Sequence, residues 1–278
     1  MSQFSFTTAQ VETFAPTGTK IDQGTVFFYK RDASWLYLVT NWHVVTGRSP
    51  FEPKKSRTGA VPVRLHMLLH KNIGPDTFSV SQKFDFSLSI NDEEGESPYW
   101  IEHPELKYRI DIAVIRLPND GKLEKQATFR FLAEDKDIET KYTIEPMADA
   151  FVIGYPWGFS SGDGVIPLYK RGSVASDPRL NYGGLPRFLI DCRTAAGMSG
   201  APVLASRHGI WVPNGKFDDS TVIGTVTNFA GVYSGRLEAK HADAAANDAI
   251  SELGIVWKQS ALDRIIEAGV PGTKISEL

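Results

Sequence analysis

Gly197-Met198-Ser199-Gly200-Ala201-Pro202-Val203 follows the apolar run Phe188-Leu189-Ile190 and leads into another strand-like run. A serine between two glycines can expose its hydroxyl and leave the backbone on both sides free to approach a substrate, because glycine tolerates conformations that a Cβ forbids. That setting suits a nucleophile. A serine hydroxyl is unreactive alone, so the reading requires a base and a carboxylate from elsewhere in the chain.

Around this stretch the sequence reads as short strands. Ala150 to Gly158 is a strand ending in a turn, with a Gly/Ser loop to Gly164. Tyr169 to Val174, Arg187 to Cys192, Ala201 to Ala205 and Thr221 to Phe229 are β-rich runs bounded by Gly, Pro, Asn or Asp. Towards the N-terminus, Gly24 to Tyr29 and Trp35 to Thr40 form a predicted hairpin about the turn Arg31-Asp32-Ala33-Ser34. The second strand runs straight into Asn41-Trp42-His43-Val44-Val45, which places His43 where a strand meets a short helical turn. A polar loop from Arg48 to Ala60 follows.

Val61, Val63, Leu65, Met67 and Leu69 then alternate on one strand face, leaving His66 and His70 on the other. Four strand residues span ~13 Å, too far for one zinc ion, so both are read as surface histidines. Residues 71 to 98 continue as β-structure with a solvated acidic tip, Asn91 to Glu96. Asp111 leads the apolar strand Ile112 to Pro118; it is either a carboxylate capping its own turn or a buried one that requires partners. Asn119 to Pro146 is charged and aperiodic, as a connection between two lobes is. Only Leu237 to Leu253, rich in alanine, and Gln259 to Ala268 read as helices, the second placing Leu262, Ile265 and Ile266 on one face before Gly269. The expected class is all-β, with closed sheets and a terminal helix packed outside.

Composition limits the function. The 278 residues are 42% hydrophobic, enough for one substantial core or two smaller ones packed together. A net charge of −3 gives no electrostatic case for a nucleic-acid partner, and Lys54, Lys55 and Arg57 are read as a solvated loop. Cys192 is the only cysteine, so no intrachain disulfide exists, which fits a reducing compartment. The first residues lack the charged start and apolar core of a signal peptide, and no stretch approaches the ~20 apolar residues of a membrane helix. The expectation is a soluble, cytoplasmic protein with no membrane partner.

His43, Asp111 and Ser199 supply a base, an orienting carboxylate and a nucleophile. Their surroundings, Thr40 to Val45, Asp111 to Leu117 and Gly197 to Val203, resemble in order and spacing the three catalytic blocks of chymotrypsin-like (trypsin-fold) serine proteases. Trp100 to Pro104 is similar to the segment before the catalytic aspartate. Ile153-Gly154-Tyr155-Pro156 resembles a second-barrel strand of the bacterial HtrA-like and glutamyl-endopeptidase-like branches. Val222 to Thr227 looks like the cleft-lining strand and Gly254 to Trp257 like the last barrel strand. The expectation is a peptidase domain without a PDZ-type extension.

The resemblance implies two six-stranded antiparallel β-barrels within one peptidase domain over 1–278, at about 1–128 and 146–258, and a C-terminal helix at about 259–269. It implies hydrolysis of protein or peptide substrates through an acyl-enzyme on Ser199, with His43 as base and Asp111 as orienter. The Gly197 and Ser199 N–H groups would form the oxyanion hole, and no metal or cofactor takes part. Thr227 matches the family's small hydroxyl residue behind the aspartate, and Gly231 its pocket wall.

Two residues depart from the digestive members. Met198 stands where they carry an aspartate that pairs with a freed N-terminus. Arg193, six residues before Ser199, matches the position that the resemblance puts at the base of the specificity pocket, either favouring an acidic P1 side chain or pointing away from a reshaped pocket. Other readings stand beside this one. An α/β-hydrolase order, Ser199, Asp218, His241, lacks a helix after the serine, and Ala201 breaks its G-x-S-x-G elbow. Cys192 is out of the glycine frame and reads as a small core residue. The rival from another class is a catalytically silent scaffold. Conditional activity is a third reading, in which an activating protein partner, or the loops Arg48–Ala60, Phe159–Gly164 and Ser176–Pro186, orders the site.

Overall fold

The computed structural model describes residues 2–56, 58–74, 77–134, 143–161, 165–212, 215–219, 221–237 and 252–278. The predicted hairpin forms as β2 (Lys20–Arg31) and β3 (Trp35–Thr40), after an opening strand β1 (Thr8–Phe14). A short helix α1 (Trp42–Thr46) follows, then a small hairpin of β4 (Arg48–Ser49) and β5 (Glu52–Ser56) within the expected polar loop. The first unit is completed by β6 (Arg64–Gly74), β7 (Thr77–Ser89), β8 (Trp100–Ile101), β9 (Ala113–Pro118), helix α2 (Lys122–Gln126) and β10 (Ala127–Thr128).

The second unit comprises β11 (Asp149–Gly154), β12 (Leu168–Val174), β13 (Arg187–Asp191), β14 (Pro202–Trp211), β15 (Val222–Arg236) and β16 (Leu253–Lys258). These six close into an antiparallel barrel in the order β11-β12-β13-β16-β15-β14, as expected. The first unit departs from the expected six strands. It is an eight-stranded sheet in the order β10-β6-β1-β2-β3-β9-β8, with β7 also paired to β6. The strands at the two ends of that order are two-residue pieces, Trp100–Ile101 and Ala127–Thr128, and no ladder joins them among the described residues.

Alternation along the strands builds three cores rather than two. Successive strand side chains point to opposite faces. On β2 and β3, Val26, Phe28, Leu36 and Leu38 enter the interior of the first unit with Trp42, Leu65 and Met67. Their neighbours Phe27, Tyr29, Tyr37 and Val39 face the other way, against Ile153, Leu189, Leu204, Phe229 and Trp257 of the barrel. The barrel fills its own interior with Val152, Phe188, Ile190, Met198, Val203 and Val256. Strands buried on both faces read as continuous apolar runs, and the shared middle core fixes one unit on the other.

The terminal helix α3 (Gln259–Ala268) buries Ala261, Leu262 and Ile265 on that middle core, with Ile266 half-buried beside them, and stops at Gly269, whose N–H reaches Ile265 O. His66 fits the surface reading, partly exposed and meeting the exposed Asp85, whereas His70 corrects it: it is 3% exposed and packs against Phe6 with ring centroids 5.0 Å apart. The short 3-10 turn Gln3–Phe6, ahead of β1, lays Phe6 over that face of the strand. The predicted helix Leu237–Leu253 falls largely on residues 238–251, outside the described ones, as do residues 162–164 of the Gly/Ser loop. Among the described residues no helix is long and apolar enough to cross a membrane.

Candidate active site

Strand pairing brings the first two residues together. β3 and β9 run antiparallel with Thr40 opposite Ala113, so a residue just after β3 lies beside one just before β9. His43, on the first turn of α1, therefore meets Asp111. The Asp111 carboxylate is 1% exposed. A buried carboxylate requires donors, and three are provided. His43 N donates to Oδ1 at 2.9 Å, His43 Nδ1 lies 2.7 Å from Oδ2, and Ser234 Oγ donates to Oδ2 at 2.6 Å. Asn41 Nδ2 donates to the Asp111 carbonyl at 2.6 Å, anchoring the backbone as well.

Ser199 approaches from the barrel, in the loop between β13 and β14. Thr25 of β2 fastens that loop across the boundary between the units: its N–H donates to Ser199 O at 2.8 Å and its Oγ1 to Gly197 O at 2.9 Å. Thr40 Oγ1 in turn donates to Thr25 O at 2.8 Å. Both flanking glycines are required. Gly197 has φ 91°, and a Cβ there would stand 2.4 Å from Tyr155 O; Gly200 has φ 85°, and its Cβ would stand 2.2 Å from Thr25 O.

A turn after β11 orients the peptide before Gly197. Trp157 N donates to Ala196 O at 2.6 Å. Carbonyl and N–H point opposite ways across a trans peptide, so the Gly197 N–H is turned away from that bond. Trp157 holds φ 51°, an unfavourable backbone for a bulky residue, and is 64% exposed. Met198 is fully buried in the barrel interior, so the position that an ion pair occupies in digestive proteases is filled here by apolar packing.

His43, Asp111, Ser199, Gly197 and Ser234 line one cavity of about 600 Å³, walled on the side of the first unit by the β4–β5 hairpin. The three pocket residues expected from the sequence are elsewhere. Arg193 is exposed and outside this cavity. Thr227 pairs with Ser206 on β14, its Oγ1 3.5 Å from Ser206 Oγ, in a separate shallow hollow with Phe4 and Phe151. Gly231 packs in the barrel wall, where a Cβ would stand 1.8 Å from Trp257 O. The hydroxyl behind the aspartate is Ser234, and the cavity wall is Gly235 and Arg236. The sequence signal for them is a serine followed by glycine near the end of a strand that runs on past Phe229.

Cys192 is buried, and burial pushes its thiol above the usual range, which opposes a thiolate nucleophile. Burial also holds the Tyr233 hydroxyl up at about 12, so it sits neutral against Thr194 Oγ1 beside the loop. Among the described residues no group of three or more His, Cys, Asp or Glu side chains is placed to hold a metal ion.

The profile of the trypsin-like peptidase domain matches residues 24–212. Solved structures with similarity include the active form of the Rv3671c protease from M. tuberculosis, at 15% identity and TM-score 0.47, covering 95% of this chain and 80% of that one. The HtrA-type protease AlgW with tripeptide is 14% identical at TM-score 0.47, over 96% of this chain and 62% of its own. The serine endoprotease from Yersinia pestis is 10% identical at TM-score 0.48, over 95% and 62%. The curated proteins gave no match.

Proposed function

Because this chain belongs to the trypsin-like peptidase family, we propose that it is a serine endopeptidase with Ser199, His43 and Asp111 as its catalytic residues. The observation that carries the reading is the buried Asp111 carboxylate, which takes both the backbone and ring nitrogens of His43 at 2.9 and 2.7 Å beside a cavity that Ser199 also lines. A carboxylate on Nδ1 fixes the tautomer that leaves Nε2 as the base and stabilises the imidazolium formed on proton transfer.

Ser199 Oγ attacks the scissile carbonyl as His43 takes its proton. The oxygen becomes an oxyanion at the Gly197 and Ser199 N–H groups, each contributing roughly 3 kcal/mol. The tetrahedral intermediate collapses to an acyl-enzyme as His43 protonates the leaving amine. Water, deprotonated by His43, then releases the acid product and restores Ser199. Substrates are accordingly peptide bonds of proteins or peptides.

Partner-triggered activity has one observation in its favour. Trp157 and Phe159, 64% and 62% exposed and 6.4 Å apart between ring centroids, sit on the turn that holds Ala196 O. A protein gripping those rings would act on the Gly197 N–H through one hydrogen bond.

The test is digestion of unfolded casein with sequencing of the new N-termini. Cleavage by the wild type, abolished in Ser199→Ala and His43→Ala, is expected. Cleavage that persists in Ser199→Ala contradicts the assignment.

A further inference from the structure

We infer that Arg236 makes this site select substrates with a carboxylate side chain on the residue whose carbonyl is attacked. The inference rests on the serine-peptidase reading and adds its substrate class. The loop Thr194–Ser199 and the end of β15 bound a common space. At one end Gly200 N donates to Tyr233 O at 2.9 Å and Tyr233 N to Ala201 O at 2.8 Å. At the other, Arg236 Nη2 donates to the Thr194 carbonyl. Ser199 lies near the first end and the guanidinium spans the second, with Gly197, Ser234 and Gly235 between them along the same cavity.

A substrate carbonyl at Ser199 Oγ has its own side chain attached one carbon away. That side chain therefore enters the space between loop and strand and runs towards Arg236. The Thr194 carbonyl holds the guanidinium in place but is neutral, and among the described residues it is the only acceptor recorded for the five N–H donors of Arg236. No carboxylate among the described residues forms an ion pair with Arg236. The acidic groups that line the cavity have other recorded partners. Asp111 is held by His43 and Ser234, whereas Asp22 and Glu52 belong to the first unit, Glu52 paired with Lys55 at 2.6 Å. A planar guanidinium with donors to spare is a carboxylate receptor.

The experiment compares labelling of Ser199 by peptidyl diphenyl phosphonates that differ only in the P1 side chain: Asp, Glu, Asn, Gln, Ala and Lys. A simple alkyl fluorophosphonate is run alongside. In the wild type the acidic P1 reagents are expected to react at least roughly tenfold faster than their amide isosteres, the ratio that one charge-assisted pair provides. Arg236→Gln is expected to bring that ratio to about one and Arg236→Glu to favour Lys. Arg193→Ala retains the wild-type ratio, which separates the two arginines.

Equal rates for acidic and amide reagents in the wild type, or an acidic preference kept in Arg236→Gln, overturn the inference. If the alkyl fluorophosphonate labels Ser199 while the P1 reagents show no acidic preference, the inference falls and the serine-peptidase reading stands. If nothing labels Ser199, both fall.

Discussion

Ser234→Ala tests whether the second unit completes the aspartate site of the first. Asp111 Oδ2 accepts from His43 Nδ1 at 2.7 Å and Ser234 Oγ at 2.6 Å, and Oδ1 from His43 N at 2.9 Å. Removing the serine hydroxyl leaves Oδ2 to the imidazole alone. A hydrogen bond to a charged group contributes about 1.5–3 kcal/mol. Ser234 is half-buried and borders the cavity, so water entering in its place recovers part of that. The net loss is about 1–2 kcal/mol, felt most when His43 carries charge in the transition state. It corresponds to roughly a 5- to 30-fold fall in the reaction rate of Ser199. The assay is the second-order rate constant for fluorophosphonate labelling, with a urea midpoint to separate kinetic from folding effects. Thr227→Ala is the internal comparison and leaves the rate unchanged, because Thr227 contacts Ser206 and not Asp111. A wild-type rate in Ser234→Ala, or an equal fall in Thr227→Ala, refutes the reasoning.

Gly197→Ala forces a Cβ to 2.4 Å from Tyr155 O at φ 91°; labelling of Ser199 is expected to fall by about 100-fold or more, and near-wild-type labelling contradicts the account. Met198→Asp puts a carboxylate in the fully buried barrel interior, and urea unfolding is expected to show a loss of about 3 kcal/mol or more, with no gain in activity. Burial pushes the His70 imidazole below its ordinary range. The fold thus favours neutral His70, and stability present above about pH 6.5 is lost as pH falls towards the lower folded value. The slope is at most about 1.4 kcal/mol per pH unit, and His70→Phe is expected to flatten it in midpoints measured from pH 7.5 to 5. An unchanged slope contradicts that placement.

The parts of this molecule legible in the sequence are those set by short-range pattern. The hairpin around Arg31–Ser34, the helix at Gln259–Ala268 and the arrival of Ser199 between strands all follow from period, turn residues and local composition. His43 and Asp111 were legible through the resemblance of the blocks around them, Thr40 to Val45 and Asp111 to Leu117, each of which lies at the end of a plainly patterned strand. Contacts between distant residues were not. Ser234 is 123 residues from Asp111, and Thr25 is 172 from Gly197. Thr25 and Ser234 read as ordinary strand hydroxyls until register assigns them, and the resemblance put Thr227 in the place that Ser234 holds. β15 carries a bulge between Tyr233 and Gly235, so simple alternation could not say which of its side chains reaches the cleft. For the same reason Arg193 stood out by spacing while Arg236 did not. The burial of His70 depends on Phe6, 64 residues earlier in the chain, packing over β6, which the alternation of β6 alone does not reveal.

Intact-protein mass spectrometry after reaction with a fluorophosphonate, followed by peptide mapping, tests the central claim most directly. A single adduct is predicted, on Ser199. It is absent in Ser199→Ala and formed at least about a thousandfold more slowly in His43→Ala, which lacks the base. An adduct on another residue, or on Ser199 at an undiminished rate without His43, contradicts the account.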